Sequence, residues 1–203
     1  SSYGKGDIRE PFIELEKEDG SRTVDLIYDS FEIKRGRDGY KTLPSSYGSI
    51  DDTEQLKIVL KGLNNNITVE MFYYVYEQCD IICRSARLIN NGPHKIFLRR
   101  MMSMQLDMDD NDFVFTSFHG AWAREMNKCT QEIKGGRIVN SSVMGTSSNR
   151  ANPFVMIHRK NTSENTGECF GFNLIYSGNH YEAAEESAFG HIRFVSGINP
   201  AGF

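Results

Sequence analysis

The sequence is poor in the residues that mark several broad protein classes. Its 203 residues include four cysteines, five prolines and one tryptophan. The cysteines form no CxxC pair and are too few for a disulfide scaffold, which favours a reducing compartment and predicts a cytoplasmic protein. No apolar run approaches the roughly 20 residues that span a bilayer, so we expect no membrane partner.

The sequence also has no excess of positive charge, and its histidines and cysteines are not spaced as metal ligands are. The formal net charge is −4, and this provides no basic field to hold a phosphate backbone, so we expect no nucleic-acid partner. The histidines are far apart in the sequence: His94, His119, His158, His180 and His191. No HxH, HExxH or mixed Cys/His cluster is present, so the sequence predicts no metal site and no cofactor.

What the sequence does contain is alternation typical of β-strands. In the run from Ile67 to Tyr76, apolar and aromatic residues occupy both alternating sets. One set begins Ile67, Val69 and the other includes Phe72 and Tyr74. This pattern predicts a strand that is covered on both faces.

Similar patterns recur along the chain and predict an all-β fold. The other predicted strands span 12–16, 23–34, 56–60, 79–90, 94–107, 112–118, 123–133, 154–159, 168–176, 181–187 and 191–198. Gly62–Asn66 is predicted to be a hairpin loop, and Asn90–Pro93 a turn. The best helical alternative is Tyr181–Ala188, on propensity alone. Strands at this spacing, without a long linker, indicate one domain built as a large antiparallel sandwich.

Catalytic chemistry is not evident from spacing alone. Glycoside hydrolysis needs two carboxyl groups on either side of the scissile bond. Asp51-Asp52 and the acidic run Asp109–Asp112 are sequence neighbours beside loops, where we expect solvated side chains. Cys79 and Cys83 are predicted to be small buried thiols and not a redox pair.

Polar-aromatic clusters are better candidates for a binding site. Trp122, with Arg124 and Glu125, could stack on a sugar ring and hydrogen-bond its hydroxyls, although from the residues alone a tryptophan filling the core is favoured. Asn179 is a weaker candidate, because Ser-Gly-Asn is also ordinary turn chemistry.

A set of collinear motifs gives the sequence a resemblance to a known family. They are Gly6-Asp-Ile-Arg-Glu-Pro11, Asp19-Gly-Ser-Arg-Thr-Val-Asp-Leu26, Leu43-Pro-Ser-Ser-Tyr47, Arg84-Ser-Ala-Arg87 with Asn90-Asn-Gly92, Gly120-Ala-Trp-Ala-Arg-Glu125, Ser147-Ser148 with Asn152-Pro-Phe154, Gly171-Phe-Asn-Leu-Ile-Tyr-Ser-Gly-Asn179 and Gly197-Ile-Asn-Pro200. Together they cover almost the whole chain. The sequence resembles the N-terminal domain of microbial α-galactosidases of glycoside hydrolase family 36.

The resemblance implies a particular place in a longer enzyme. Family members carry a β-supersandwich, then a (β/α)₈ barrel, then a small β-domain, and their two catalytic aspartates lie in the barrel. We therefore expect residues 1–203 to be a fragment, a β-supersandwich truncated at its N-terminal side, with no catalytic residue of its own. Two departures from the family pattern are Asn149-Arg150, where a His-Gln pair is usual, and the ending Pro200-Ala-Gly-Phe203.

The implied function is a non-catalytic domain of a retaining α-galactosidase that acts on melibiose- or raffinose-type substrates. Its expected partners are its own barrel, neighbouring subunits and α-galactoside oligosaccharides. The resemblance implies that Trp122, Arg124 and Glu125 belong to an active-site rim. Two alternatives remain: an autonomous galactoside-binding module, and an aldose-epimerase-like enzyme with His119, His158 or His191 facing a carboxylate.

Overall fold

The computed structural model describes residues 3–40, 42–63 and 66–201. Thirteen strands form in these residues: β1 (Ile13–Lys17), β2 (Leu26–Arg35), β3 (Glu54–Gly62), β4 (Ile67–Tyr76), β5 (Ile81–Asn90), β6 (Ile96–Met108), β7 (Phe113–Ala121), β8 (Arg124–Glu132), β9 (Arg137–Ser141), β10 (Phe154–Arg159), β11 (Cys169–Asn173), β12 (His180–Glu186) and β13 (Ile192–Ile198). The one helical segment in the described ranges is a 3₁₀ turn at Glu77–Cys79. Every strand pairing is antiparallel. The all-β prediction is confirmed.

The chain divides into two compact units. The first comprises Ser1–Asp7 and Ile13–Met101, and the second comprises Ile8–Phe12 and Met102–Phe203. Strand β6 therefore contributes residues to both units. Its first part pairs with β1 and its second part with β13.

The first unit contains a four-stranded sheet in the order β2-β3-β4-β5. In its third strand, Ile67 and Val69 are buried on one face, and Phe72 and Tyr74 are buried on the other. The prediction of cover on both faces therefore holds for the first part of the strand, whereas Val75 near its end is 41% exposed. Apolar and aromatic residues on both faces explain why it has the strongest strand pattern in the sequence.

The second unit is a sandwich of two sheets. One sheet has the order β11-β10-β7-β8, and the other is built from the second part of β6 with β13, β12 and β9. Inward-facing side chains from both sheets form a continuous core: Phe113, Phe115, Ile133, Val155, Ile157, Phe172, Ala184, Ile192 and Phe194. The ring centroids of Phe172 and Phe194, one from each sheet, lie 4.3 Å apart. Burial of these side chains is the main force that holds the two sheets together.

A buried ion network attaches the segment Ile8–Phe12 to the rest of the second unit. The Glu10 side chain is 2% exposed, and Arg137 Nη1 donates a 2.7 Å hydrogen bond to its Oε1. The same guanidinium donates to Glu185 Oε1, and Glu185 Oε2 accepts from the Glu10 backbone N–H. Tyr181 Oη donates to Glu10 Oε2. Each buried carboxylate is thus paired and hydrogen-bonded, as a charge removed from water must be.

Several local predictions can be compared with this fold. The helical alternative at Tyr181–Ala188 is wrong, because residues 181–186 lie in β12, where both neighbouring strands supply ladder partners. Strand β9 is absent from the predicted strands. Of the expected hairpin loop Gly62–Asn66, residues 64 and 65 lie outside the described residues.

All four cysteines are free, and Cys79 is exposed on the 3₁₀ turn, so the buried-thiol prediction is wrong for that residue. In the residues that the structure describes, no helix is long and apolar enough to cross a membrane.

Candidate functional site

The only tryptophan of the chain lies at the tip of the hairpin between β7 and β8. Trp122 is 90% exposed, so the core position favoured by residue type alone is wrong. Trp122 and Ala123 form a two-residue turn between the paired residues Ala121 and Arg124. The side chains of Arg124 and Glu125 are also exposed, so the structure groups these two with Trp122 on one hairpin.

This hairpin has an unusual backbone. Ala123 and Met126 both have φ of 59°, in the left-handed region that glycine and asparagine normally occupy. Such conformations cost about 1–3 kcal/mol each and persist only where the surroundings hold them. The backbone conformation of this hairpin therefore costs free energy, and contacts around the turn must stabilise it.

Three neighbouring residues determine the geometry of the turn, two through hydrogen bonds and one through close packing. Glu125 Oε1 accepts a 2.9 Å hydrogen bond from the Ala123 N–H. Asn127 Nδ2 donates to the Arg124 carbonyl at 2.7 Å and to the His119 carbonyl at 3.3 Å. A Cβ at Gly120 would lie 2.7 Å from Glu125 Cα, so this position admits only glycine.

The base of the hairpin is fixed to the loop that precedes β10. His119 contacts the Arg150 carbonyl through Nδ1 at 3.0 Å, and Asn152 N–H donates to the Phe118 carbonyl at 3.0 Å. His119 and this loop line a surface cavity of 370 Å³ whose other lining residues include Asn140, Val143 and Met144. Sequence reasoning does not predict this cavity, because its lining comes from β7, β9 and the loop between β9 and β10.

Asn179 has a structural role in the same unit. Its Oδ1 accepts a 2.6 Å hydrogen bond from Gly145 N–H, and its carbonyl accepts from Asn199 N–H. Its side chain shapes the loop that carries Val143 and Met144.

A buried polar cluster lies behind the cavity. His180 and Glu182 are both fully buried, and His180 Nδ1 lies 2.8 Å from Glu182 Oε2. Asn140 Nδ2 donates to the same carboxylate oxygen at 2.9 Å and to the Asn152 carbonyl. His180 Nε2 lies 2.8 Å from the Ala151 carbonyl. The cluster thus connects β9 and β12 to the loop under the hairpin.

The environment of this cluster changes its protonation. Burial raises the pKa of Glu182, and the hydrogen bonds from His180 and Asn140 offset part of that rise. For His180, burial acts to lower the pKa, but the hydrogen bond and the charge of Glu182 outweigh it and raise this pKa. Residues i and i+2 of a strand share a face, so the His-x-Glu spacing was a signal that sequence reasoning missed.

The histidines of the epimerase alternative are not arranged for acid–base work on a sugar. His158 Nδ1 donates to the Arg159 carbonyl, and its Nε2 lies 2.9 Å from Thr116 Oγ1. His119 is bonded to Ser117 Oγ and to the Arg150 carbonyl. In the described ranges, no ion pair joins His119, His158 or His191 to a carboxylate, and no three His, Cys, Asp or Glu side chains group as metal ligands do.

Comparison with known proteins agrees with this fold. Residues 1–203 match the glycosyl hydrolase family 36 N-terminal domain. The chain is 36% identical to α-galactosidase Mel36A of Lactobacillus acidophilus and 35% identical to α-galactosidase AgaA of Geobacillus stearothermophilus. Both matches cover 100% of this chain and 28% of the relative, so the chain spans little more than a quarter of their length.

Solved structures give the same result. The crystal structure of Geobacillus stearothermophilus AgaA superposes with a TM-score of 0.95 at 35% identity, covering 98% of this chain and 28% of that one. The α-galactosidase of Lactobacillus brevis superposes with a TM-score of 0.96 at 34% identity, covering 99% and 27%. The sandwich fold expected from the resemblance is confirmed. The chain therefore belongs to glycosyl hydrolase family 36 and corresponds to its N-terminal domain.

Proposed function

We propose that residues 1–203 are the non-catalytic N-terminal β-supersandwich domain of a retaining, cytoplasmic α-galactosidase. Relatives that are 35–36% identical to this chain over its whole length are α-galactosidases, and variants of the Geobacillus stearothermophilus enzyme have been crystallised with raffinose and stachyose. On this proposal the substrates are terminal α-galactosides of the melibiose or raffinose type. The domain supports its own catalytic barrel and the association of subunits, and needs no cofactor.

The hydrogen bonds made by the two acidic runs support a non-catalytic role. Asp110 pairs with Arg159, whose Nη1 and Nη2 donate to its two oxygens at 2.6 and 2.9 Å. This guanidinium holds the pKa of Asp110 below its usual range, which is the opposite of what a general acid needs. Asp52 accepts from Ser49 Oγ on an exposed turn. Both acidic runs lie within the described residues, and neither presents a facing pair of carboxyl groups.

The exposure of Trp122 is the observation that carries the binding part of the proposal. An exposed indole, held by a strained turn, offers a flat apolar face that suits the C–H face of galactose. On this proposal Trp122, Arg124 and Glu125 lie at the rim of the active site, and Asn179 shapes a neighbouring loop.

The complete enzyme provides the test of the rim. Trp122→Ala is expected to lower kcat/KM for raffinose about 2- to 10-fold, the range that loss of one aromatic contact gives. Trp122→Phe should retain most of the activity, because a smaller ring can still stack. Phe189→Ala removes another aromatic side chain of similar exposure in the same unit and should have no effect. Unchanged kcat/KM in Trp122→Ala would show that the rim assignment is wrong.

A second experiment tests the non-catalytic assignment. The 203-residue chain and the complete enzyme are compared for hydrolysis of a chromogenic α-galactoside. We expect turnover by the complete enzyme alone. Turnover by the isolated chain that is abolished by a point substitution within it would overturn the proposal.

The same exposed indole favours one alternative, an autonomous galactoside-binding module. Melibiose is titrated into the isolated chain while tryptophan emission is followed, and an equal concentration of sucrose is titrated as the control. A saturable change with melibiose that sucrose does not produce would support the module. We expect no such change, because the rim proposal requires the barrel to hold the sugar.

A further inference from the structure

The strained conformation of the β7–β8 hairpin requires an explanation that the rim proposal does not supply. Ala123 and Met126 adopt left-handed backbone conformations that glycine or asparagine would adopt at much lower cost. An exposed turn that is free to move would relax into a cheaper conformation. The conformation must therefore be held in place by the groups around it.

The hydrogen bonds that hold it come from two side chains next to Trp122. Glu125 Oε1 accepts from the Ala123 N–H at 2.9 Å, which fixes the residue directly after the indole. Asn127 Nδ2 donates to the carbonyls of Arg124 and His119, so it joins the strands on both sides of the turn. These contacts restrain the backbone on which Trp122 is carried.

The indole itself is not restrained by packing. Trp122 is 90% exposed, and in the described residues no aromatic ring or cation is paired with its ring. Its direction is therefore set by the backbone of the turn. Fixing a binding group before its ligand arrives reduces the entropy lost on binding.

We propose that Glu125 and Asn127 are positioning residues that hold Trp122 in a preformed turn, and that Glu125 acts through the Ala123 N–H and not as a direct ligand of the sugar. This inference rests on the proposed function for the identity of the ligand, an α-galactoside whose C–H face meets the indole. The positioning itself is a property of this chain and is measurable without substrate.

Trp122 provides the readout, because it is the only tryptophan. Time-resolved fluorescence anisotropy of the isolated chain reports the motion of this turn alone. We expect a larger fast component in Glu125→Ala and Asn127→Ala than in the wild type. Glu125→Gln keeps an acceptor oxygen at the same position and should restore the wild-type decay. Lys128→Ala, an exposed position on the same strand, serves as the matched control. Unchanged decays in both alanine variants would overturn the proposal.

Ala123→Gly keeps the test decisive if the alanine variants fold poorly. Glycine adopts the left-handed conformation without strain and also leaves it easily. We expect this variant to unfold at the same or a higher temperature than the wild type and to keep the wild-type decay, because Glu125 and Asn127 still hold its turn. A larger fast component would show that the two side chains do not hold the turn and would overturn the proposal.

Activity of the complete enzyme separates positioning from direct contact. Glu125→Ala is expected to raise KM for raffinose about 2- to 10-fold, as loss of one aromatic contact does, with little change in kcat. Glu125→Gln should restore KM. If Glu125→Gln is as impaired as Glu125→Ala while its anisotropy is normal, the carboxylate contacts the sugar and the positioning role is wrong. If the anisotropy results are as expected but Trp122→Ala is fully active, the positioning stands and the rim proposal fails.

Discussion

His180 Nδ1 lies 2.8 Å from Glu182 Oε2, and neither side chain is exposed to solvent. The other ring nitrogen faces the Ala151 carbonyl, which can only accept, so Nε2 carries a hydrogen. The 2.8 Å contact must then contain one further proton, either on the imidazole or on the carboxyl group. Without that proton, two lone pairs would face each other in a site that water does not reach.

This shared proton predicts how stability depends on pH. In the unfolded chain at neutral pH, Glu182 is ionised and His180 is mostly neutral, so the pair binds no such proton. Both pKa values are raised in the folded state, so folding takes up a proton. The stabilisation is complete below a pH of about 6.5 and is lost as pH rises through the folded pKa.

Urea unfolding followed by circular dichroism between neutral and alkaline pH measures this effect. Glu182→Gln keeps the shape of the site but cannot take up the proton, so its unfolding free energy should fall less steeply with rising pH than that of the wild type. Subtracting one curve of unfolding free energy against pH from the other removes the pH dependence of the thiols and other titrating groups, because both proteins contain them. Parallel curves would contradict the shared proton.

Tight packing around Gly120, under the hairpin, predicts that one added methyl group at this position lowers the stability of the chain. A Cβ at Gly120 would lie 2.7 Å from Glu125 Cα, and backbone cannot move aside cheaply. We expect Gly120→Ala to destabilise the chain by about 1–3 kcal/mol in urea unfolding. Gly136→Ala is the control, because nothing lies within 4 Å of the position that its Cβ would take and its backbone is not left-handed. Equal effects of the two substitutions would contradict this account.

The core of the second unit predicts a large cavity penalty. Phe115 is fully buried between the two sheets, and Phe115→Ala is expected to cost about 3–5 kcal/mol. Phe189 is 87% exposed, and the same substitution there should change stability by at most about 0.5 kcal/mol. Denaturant unfolding of both variants provides the comparison. A small effect at Phe115 would mean that the two sheets do not pack as described.

An exposed apolar face in the first unit predicts self-association of the isolated chain. Phe31, Ile33 and Ile82 lie on one face of the sheet β2-β3-β4-β5 and are each more than 60% exposed. Neighbouring exposed apolar side chains favour contact with a second copy of the chain, because the contact removes them from water. Ile33→Lys should lower the apparent mass in light scattering at high concentration, and Ile27→Lys on the opposite face should not. A monodisperse wild-type monomer over a wide concentration range would contradict the prediction.

Local pattern predicts the fold well where strands bury both faces or alternate cleanly. The bounds of β4 and β10 match their predicted spans, because those strands are rich in β-branched and aromatic residues. Strand β9 escapes prediction because it is short and mostly polar, and because its ladder partner, β12, lies some 40 residues further along the chain.

The candidate site was predictable only in part. The collinear motifs singled out Trp122, Arg124 and Glu125, whereas residue type alone favoured a buried tryptophan. The indole is exposed because it lies with the left-handed Ala123 in a two-residue turn, and alternation does not reveal that turn. The cluster of Asn140, His180 and Glu182 joins two strands and a distant loop, so only the i, i+2 spacing of its last two members was visible in the sequence.

The ion network of Glu10 has a consequence for the order in which the chain can be built. Its partner Glu185 follows it by 175 residues, and Arg193, whose Nη1 donates to the Glu10 backbone carbonyl, follows it by 183 residues. During synthesis at about 5–20 residues per second, the Ile8–Phe12 segment must wait roughly ten seconds or more before its partners emerge. For that interval an ionised carboxylate and its flanking apolar residues remain without their native contacts, while β2 to β5 can already pair with their sequence neighbours. Ribosome-bound chains from which residue 185 has not yet emerged should therefore leave this segment open to protease, and chains from which it has emerged should protect it.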